Sequence, residues 1–108
     1  MNNSVRNERE TLKTELSDRL ISLLPTLRTY LGISQQELAE YIGVTRQTYC
    51  ALEQGKRKMA WSVFLSLFLF FYVNPKTRAI MEERPHFMNT THSLLQYPAE
   101  LLQEESVR

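Results

Sequence analysis

Cysteine is almost absent from this chain: Cys50 stands alone. One thiol excludes an internal disulfide framework and any cysteine-rich zinc site, and it fits a reducing compartment. Glycine is nearly as scarce, with only Gly32, Gly43 and Gly55 among 108 residues. Hairpins and tight β-turns lean on glycine, so this scarcity argues against a β fold. Neither strand-like alternation nor an internal repeat is present. An excess of charge of one sign is also lacking. The formal net charge is +1, so any electrostatic function must come from a local patch rather than from the whole molecule. The first twenty residues are charged throughout and hold no apolar core of a secretion signal. The longest apolar run, Met59 to Val73, has 15 residues, short of the roughly 20 that a spanning helix needs. It reads as a buried helix.

What is present fits one globular domain. Hydrophobic residues make up 43% and charged residues 23%, close to globular averages, which excludes bulk disorder. A chain of this length buries about 60–70% of its unfolded surface and folds without staples.

The pattern reads as all-α. Residues 1–7 look frayed. From Glu8 to Ile21, Leu12, Leu16 and Leu20 recur every four residues with charges between them, which marks an amphipathic helix. Pro25 argues for a break near Ser22, with Ser22 as N-cap and Pro25 in the first turn, where proline blocks nothing. The next helix runs to about Leu31 and stops at Gly32. Ser34-Gln35-Gln36-Glu37 is a capping box that opens a helix to about Ile42, and Gly43 ends it. Thr45 caps the next helix, which runs to about Gln54 and stops at Gly55. A basic loop, Lys56-Arg57-Lys58, leads to a fourth helix over about Ala60 to Val73. Asn74 as N-cap and Pro75 at the first position restart the chain as a short helix to about Glu83. Pro85 ends it. Residues 86–97 stay open between helix and loop, and Pro98 opens a short helical candidate, PAELLQEE.

Two capped helices joined by the turn at Gly43-Val44 cannot pack antiparallel, so they cross steeply as a helix-turn-helix unit. Leu38, Ala39, Ile42, Val44, Tyr49 and Leu52 face inward, and small Ala39 permits the close crossing. The face left over on the second helix holds Arg46, Gln47, Cys50 and Ala51. Planar, donor-rich side chains at a helix N-terminus suit reading of the DNA major groove.

The stretch resembles the phage Cro/repressor type of helix-turn-helix, also called the xenobiotic-response-element type. Leu27-Arg28, Gly32 through Ala39, Ile42 through Thr48 and Leu52 through Lys58 carry the likeness, over about residues 22–74. The resemblance implies a lambda-repressor-like five-helix DNA-binding domain at 22–84, with its helix-turn-helix at 34–54. A helical extension at 1–21 precedes it, and a partly helical tail at 85–108 follows. By the same resemblance, Arg46 and Gln47 read bases, with Ala51 and Cys50 against thymine methyls on the same face. Gln35, Thr45, Gln54, Lys56, Arg57 and Lys58 match contacts to the phosphate backbone, which set affinity and salt dependence rather than sequence choice. Arg28 and Glu53 match a partly buried ion pair that fixes orientation. Tyr49 departs from the pattern, standing where a smaller aliphatic residue is usual. It either reshapes the core or projects its hydroxyl towards DNA.

The fourth helix departs too. Trp61, Phe64, Leu65, Phe68 and Phe71 match the family's buried face, whereas Val63, Leu69, Phe70 and Tyr72 are surplus. A surface helix needs a polar outer stripe. Three coverings are open to the surplus: the N-terminal leucines Leu12, Leu16 and Leu20; the C-terminal Phe87, Met88, Leu94, Leu95, Leu101 and Leu102; or a second copy of the chain. Large apolar patches mark association, and a two-fold protein mirrors a two-fold operator.

The chain shows no phosphate-cradling glycine loop, and no nucleophile–base–orienter set can be assembled. His86 and His92 have no cysteine nearby to complete a metal site. No enzyme, cofactor or metal is therefore expected. The reading is a cytoplasmic, sequence-specific DNA-binding transcriptional regulator. It acts as a repressor and binds a short pseudo-palindrome in double-stranded DNA as a homodimer. The resemblance implies a bacterial, plasmid or phage setting. The rival reading keeps the fold but makes it a protein-interaction module, such as an antitoxin-like partner binder. A third, peripheral membrane contact through 63–73, is tested by flotation with liposomes.

Overall fold

Four leucines decide how the chain begins. Leu16, Leu20, Leu24 and Leu27 are each at most 1% exposed, and they align on one face only if the helix runs unbroken past Pro25. In the computed structural model, which describes residues 3–98, it does. Helix α1 (Asn3–Leu31) contains Pro25 in its interior. Two sequence expectations are thereby corrected: residues 3–7 are helical rather than frayed, and no break falls at Ser22. The Ser22 hydroxyl donates instead to the Asp18 carbonyl one turn back. An interior proline costs about 3 kcal/mol. Burying each leucine contributes about 1.5–3 kcal/mol, so the continuous stripe outweighs the proline.

Five further helices follow: α2 (Gln35–Ile42), α3 (Arg46–Glu53), α4 (Trp61–Val73), α5 (Pro75–Glu82) and α6 (Pro85–Leu95). The described residues contain no strand, and the fold is all-α, as a lambda-repressor-like domain requires. Helix α1 is the spine, packing against α3, α4, α5 and α6, while α2 bridges α3 and α4. Among the described residues no helix is long and apolar enough to cross a membrane.

The caps of α2 and α3 lie where the sequence puts them. Ser34 and Glu37 form a reciprocal capping box, and Gly43 closes α2 in the left-handed region at φ 80°. Any other L-residue there is strained. The Thr45 hydroxyl accepts from the Thr48 backbone N–H to open α3. Asn74 is a correction. It precedes α5, but its side chain makes no cap and its amide donates back to the Phe70 carbonyl. Proline at the first position leaves α5 one donor fewer to satisfy.

The core runs from Leu16 through the helix-turn-helix to α6. Of the expected inward set, Leu38, Ala39, Tyr49 and Leu52 are buried and Ile42 and Val44 half-buried. On α4 the buried face is Phe64, Leu67 and Phe71, with Trp61, Leu65 and Phe68 half-buried. Leu67 was not expected inside. Helix α4 meets α1, α2 and α5, and a helix enclosed on several sides loses the one-stripe periodicity that marks a surface helix. Pro85 ends one helix and opens the next, so the open stretch 86–97 is helical to Leu95. There Phe87 stacks edge-on against Phe64 and packs on Phe68. Arg9 reaches from α1 to the Leu94 carbonyl at 2.9 Å, tying the two helices together. Buried Thr77 and Thr91 hold their hydroxyls on the Phe71 and Phe87 carbonyls. The short candidate helix after Pro98, with Leu101 and Leu102, lies outside the described residues.

Candidate nucleic-acid interface

The interface is built on a clamp beneath α3. The Arg28 guanidinium, near the end of α1, donates from Nε and Nη2 to the two oxygens of Glu53 at 2.9 Å each. Its Nη1 donates to the Ile33 carbonyl at 3.2 Å. One planar fork thus joins α1, the α1–α2 connection and the end of α3, a task a lysine point charge cannot do. The pair is largely enclosed, with the Arg28 and Glu53 side chains 19% and 9% exposed. Glu53 also accepts from the Tyr49 hydroxyl at 2.5 Å and from Gln35 Nε2 at 3.3 Å.

The electrostatics follow from this cluster. Burial pushes the Glu53 carboxyl up, but hydrogen bonds from Arg28 and Tyr49 outweigh it and leave the pKa below its ordinary value. The hydrogen bond to Glu53 raises Arg28 above its ordinary value. Burial first, and then the hydrogen bond to Glu53, lifts the Tyr49 phenol far above its usual range. Tyr49 is therefore a neutral, fully buried donor. Of the two roles open to it, the structure gives it the core, with its hydroxyl turned to Glu53.

Above the clamp, α3 presents its N-terminal end outward. Arg46 and Gln47 are exposed, and Cys50 and Ala51, one turn further on, are half-buried. The Thr45 hydroxyl caps this end and also donates to the Thr48 hydroxyl. Gln35, first residue of α2, meets the same face through its bond with Cys50, whose thiol donates to Oε1 at 3.1 Å. Gln54 closes α3 as its C-cap, and exposed Lys56, Arg57 and Lys58 continue from it past Gly55. Besides the bond from Gln35 to Glu53, two links escaped the sequence reading: Tyr49 to Glu53, and Cys50 to Gln35. The first spans one helical turn and could have been sought there. The second joins two helices, and no local pattern signals it.

The surplus face of α4 is distributed more finely than its composition suggests. Tyr72 is half-buried, stacked on Phe68 and covered by the Arg78 guanidinium, which lies 4.2 Å from the ring centre. Phe70 packs against the Tyr41 ring, and Val63 is half-buried against the core. Leu69 stays open at 60% exposure, beside Val73 at 62%.

Residues 26–59 match a family model described as helix-turn-helix. Over 35 residues the chain is 54% identical to a protein from Methanothermobacter thermautotrophicus named as an uncharacterized HTH-type transcriptional regulator; the match covers 32% of this chain and 51% of that protein. The chain thus spans about half the length of the curated relative it matches. No solved structure matches it. Two capped helices, the left-handed turn at Gly43 and the match coincide, and residues 26–59 form a helix-turn-helix segment.

Proposed function

We propose that the protein is a sequence-specific DNA-binding transcriptional regulator that docks α3 in the major groove. One observation carries the reading. Arg46 and Gln47 stand exposed at the capped N-terminal end of a helix whose other end is bolted to α1 through Glu53 and Arg28. A rigidly held helix end with planar donors is what base-edge recognition requires. Arginine pairs bidentately with guanine and glutamine with adenine, each pair giving about 1–3 kcal/mol of discrimination. Ala51, and Cys50 beside it, lie one turn along the same face. Gln35, Thr45, Gln54, Lys56, Arg57 and Lys58 flank that face and serve as backbone contacts. The printed name of the relative from Methanothermobacter thermautotrophicus supports the same class.

The operator in this reading is a short pseudo-palindrome bound by a homodimer, with half-sites about 34 Å apart. The exposed Leu69–Val73 edge of α4 joins the two copies. Occupying a promoter in this way suffices to repress it.

Selection of bound fragments from genomic DNA tests the proposal, using the wild type and the Arg46→Ala/Gln47→Ala double variant at two salt concentrations. The wild type is expected to enrich a palindromic site that the double variant no longer prefers. Replacing Lys56, Arg57 or Lys58 with alanine should weaken binding to all sequences alike and lower the salt slope by about 0.9 per lost phosphate contact. If the wild type enriches nothing, or releases all fragments alike with salt, the fold is acting as a scaffold. The open Leu69 and Val73 side chains would then turn attention to a protein partner.

A further inference from the structure

Gln35 carries one of the few polar side chains at the interface with its orientation already fixed. Its Nε2 donates to Glu53 Oε1 at 3.3 Å, and its Oε1 accepts from the Cys50 thiol at 3.1 Å. The amide has only one sensible orientation. Turned over, it would set its own oxygen against a Glu53 carboxylate that also carries the negative charge of the clamp, acceptor facing acceptor. Glu53 cannot rotate to relieve this, because Arg28 and Tyr49 hold both of its oxygens. The second N–H of Nε2 makes no bond among the described residues. Gln35 also opens α2, an eight-residue helix whose N-terminal turn favours an anion.

Resting on the DNA-binding reading above, we propose that Cys50 is a positioning residue rather than a base reader. Its thiol fixes the Gln35 amide against Glu53, so that the remaining N–H is held ready for a DNA phosphate. The thiol is half-buried and its proton is directed to Gln35, so a base edge would have to compete for it. Ala51, Arg46 and Gln47 make no such side-chain bond among the described residues, and the base-reading role stays with them. The free protein thereby presents α2 to the backbone with the glutamine rotamer already selected, which removes an ordering cost on binding.

Binding to the DNA site selected by the wild type distinguishes the roles. The proteins are wild type, Cys50→Ala, Cys50→Ser, Gln35→Ala and the Cys50→Ala/Gln35→Ala pair, each first shown to unfold at the wild-type temperature. Cys50→Ala is expected to weaken binding about three- to tenfold, the cost of ordering one freed side chain on binding, with unchanged base preference at every position. Cys50→Ser, which keeps a donor, should recover most of that loss. The paired variant should bind no more weakly than Gln35→Ala alone. A changed preference at one base position in Cys50→Ala would make the thiol a base reader and overturn the proposal. So would additive losses in the paired variant, or wild-type affinity in Cys50→Ala. Failure of the wild type itself to select any site overturns the DNA-binding reading instead, and this inference with it.

Discussion

Arg28 and Glu53 meet fork to fork, two nitrogens on two oxygens at 2.9 Å, across 25 residues of chain. The pair sits where α1, the α1–α2 connection and α3 converge, and Tyr49 and Gln35 complete the coordination of the carboxylate. An enclosed ion pair of this kind fixes geometry more surely than it adds net stability, yet removing one partner leaves the other buried and uncompensated. Glu53→Gln is therefore expected to destabilise the fold at neutral pH by about 3 kcal/mol.

The same cluster sets a pH dependence. Folding lowers the Glu53 pKa, since Arg28 and Tyr49 outweigh burial. The unfolded chain then takes up the proton first as pH falls. The contribution of Glu53 is fully present above the ordinary glutamate value of about 4.3, and it is lost as pH falls through the lower folded value. Thermal unfolding from pH 7 to pH 3 should show a gap between wild type and Glu53→Gln that narrows only below about pH 4.3. A gap of constant size across that range would show that the charge of Glu53 is irrelevant to the defect.

Tyr49→Phe separates the core role of this residue from a role on DNA. The ring stays buried and only the hydroxyl bonded to Glu53 is lost. A hydrogen bond to a charged group is worth about 1.5–3 kcal/mol, so urea unfolding should report a loss in that range. The base preference of bound DNA should not change. A preserved stability with an altered preference would place the hydroxyl at the groove after all.

Pro25 offers a test of the continuous α1. It is exposed, its ring sits inside a helix, and it cannot donate to the Ile21 carbonyl. Pro25→Ala restores that donor without touching the core. The expected result is a gain of about 2 kcal/mol by urea unfolding, the helix benefit less the greater freedom of the unfolded chain. Were the helix broken near Ser22, the substitution would bring no such gain.

These residues also mark how far the sequence could be read. Caps and the turn were legible because their chemistry is local: Ser34 with Glu37, Thr45 with Thr48, and Gly43 in a left-handed conformation. The continuity of α1 was not legible, because a local rule about proline competes with a tertiary fact, the shared burial of Leu16, Leu20, Leu24 and Leu27. Leu67 was missed for a related reason. In the run VFLSLFLFFYV nearly every position is apolar, and only the neighbouring helices decide which ones close. At the interface, exposed Arg46 and Gln47 follow from helix phase, whereas the bond between Cys50 and Gln35 needs two helices in register.

Leu69 carries the last prediction. With Val73 it forms the open edge of α4, while Tyr72 lies under Arg78 and Phe70 lies against Tyr41. If two copies meet there about a two-fold axis, each substitution enters the interface twice. Burial of one leucine is worth about 1.5–3 kcal/mol, so Leu69→Asp should weaken dimerisation by at least about a hundredfold. Sedimentation should then show the wild type as a dimer and Leu69→Asp as a monomer with the same helix content. The variant should hold a single half-site as the wild type does, yet lose the added affinity for the full pseudo-palindrome. Tyr72→Ala, a loss on the covered side of the helix, should lower stability without dissociating the dimer. A wild type that sediments as a monomer when bound to the full site would mean that the exposed leucine serves something other than a second copy.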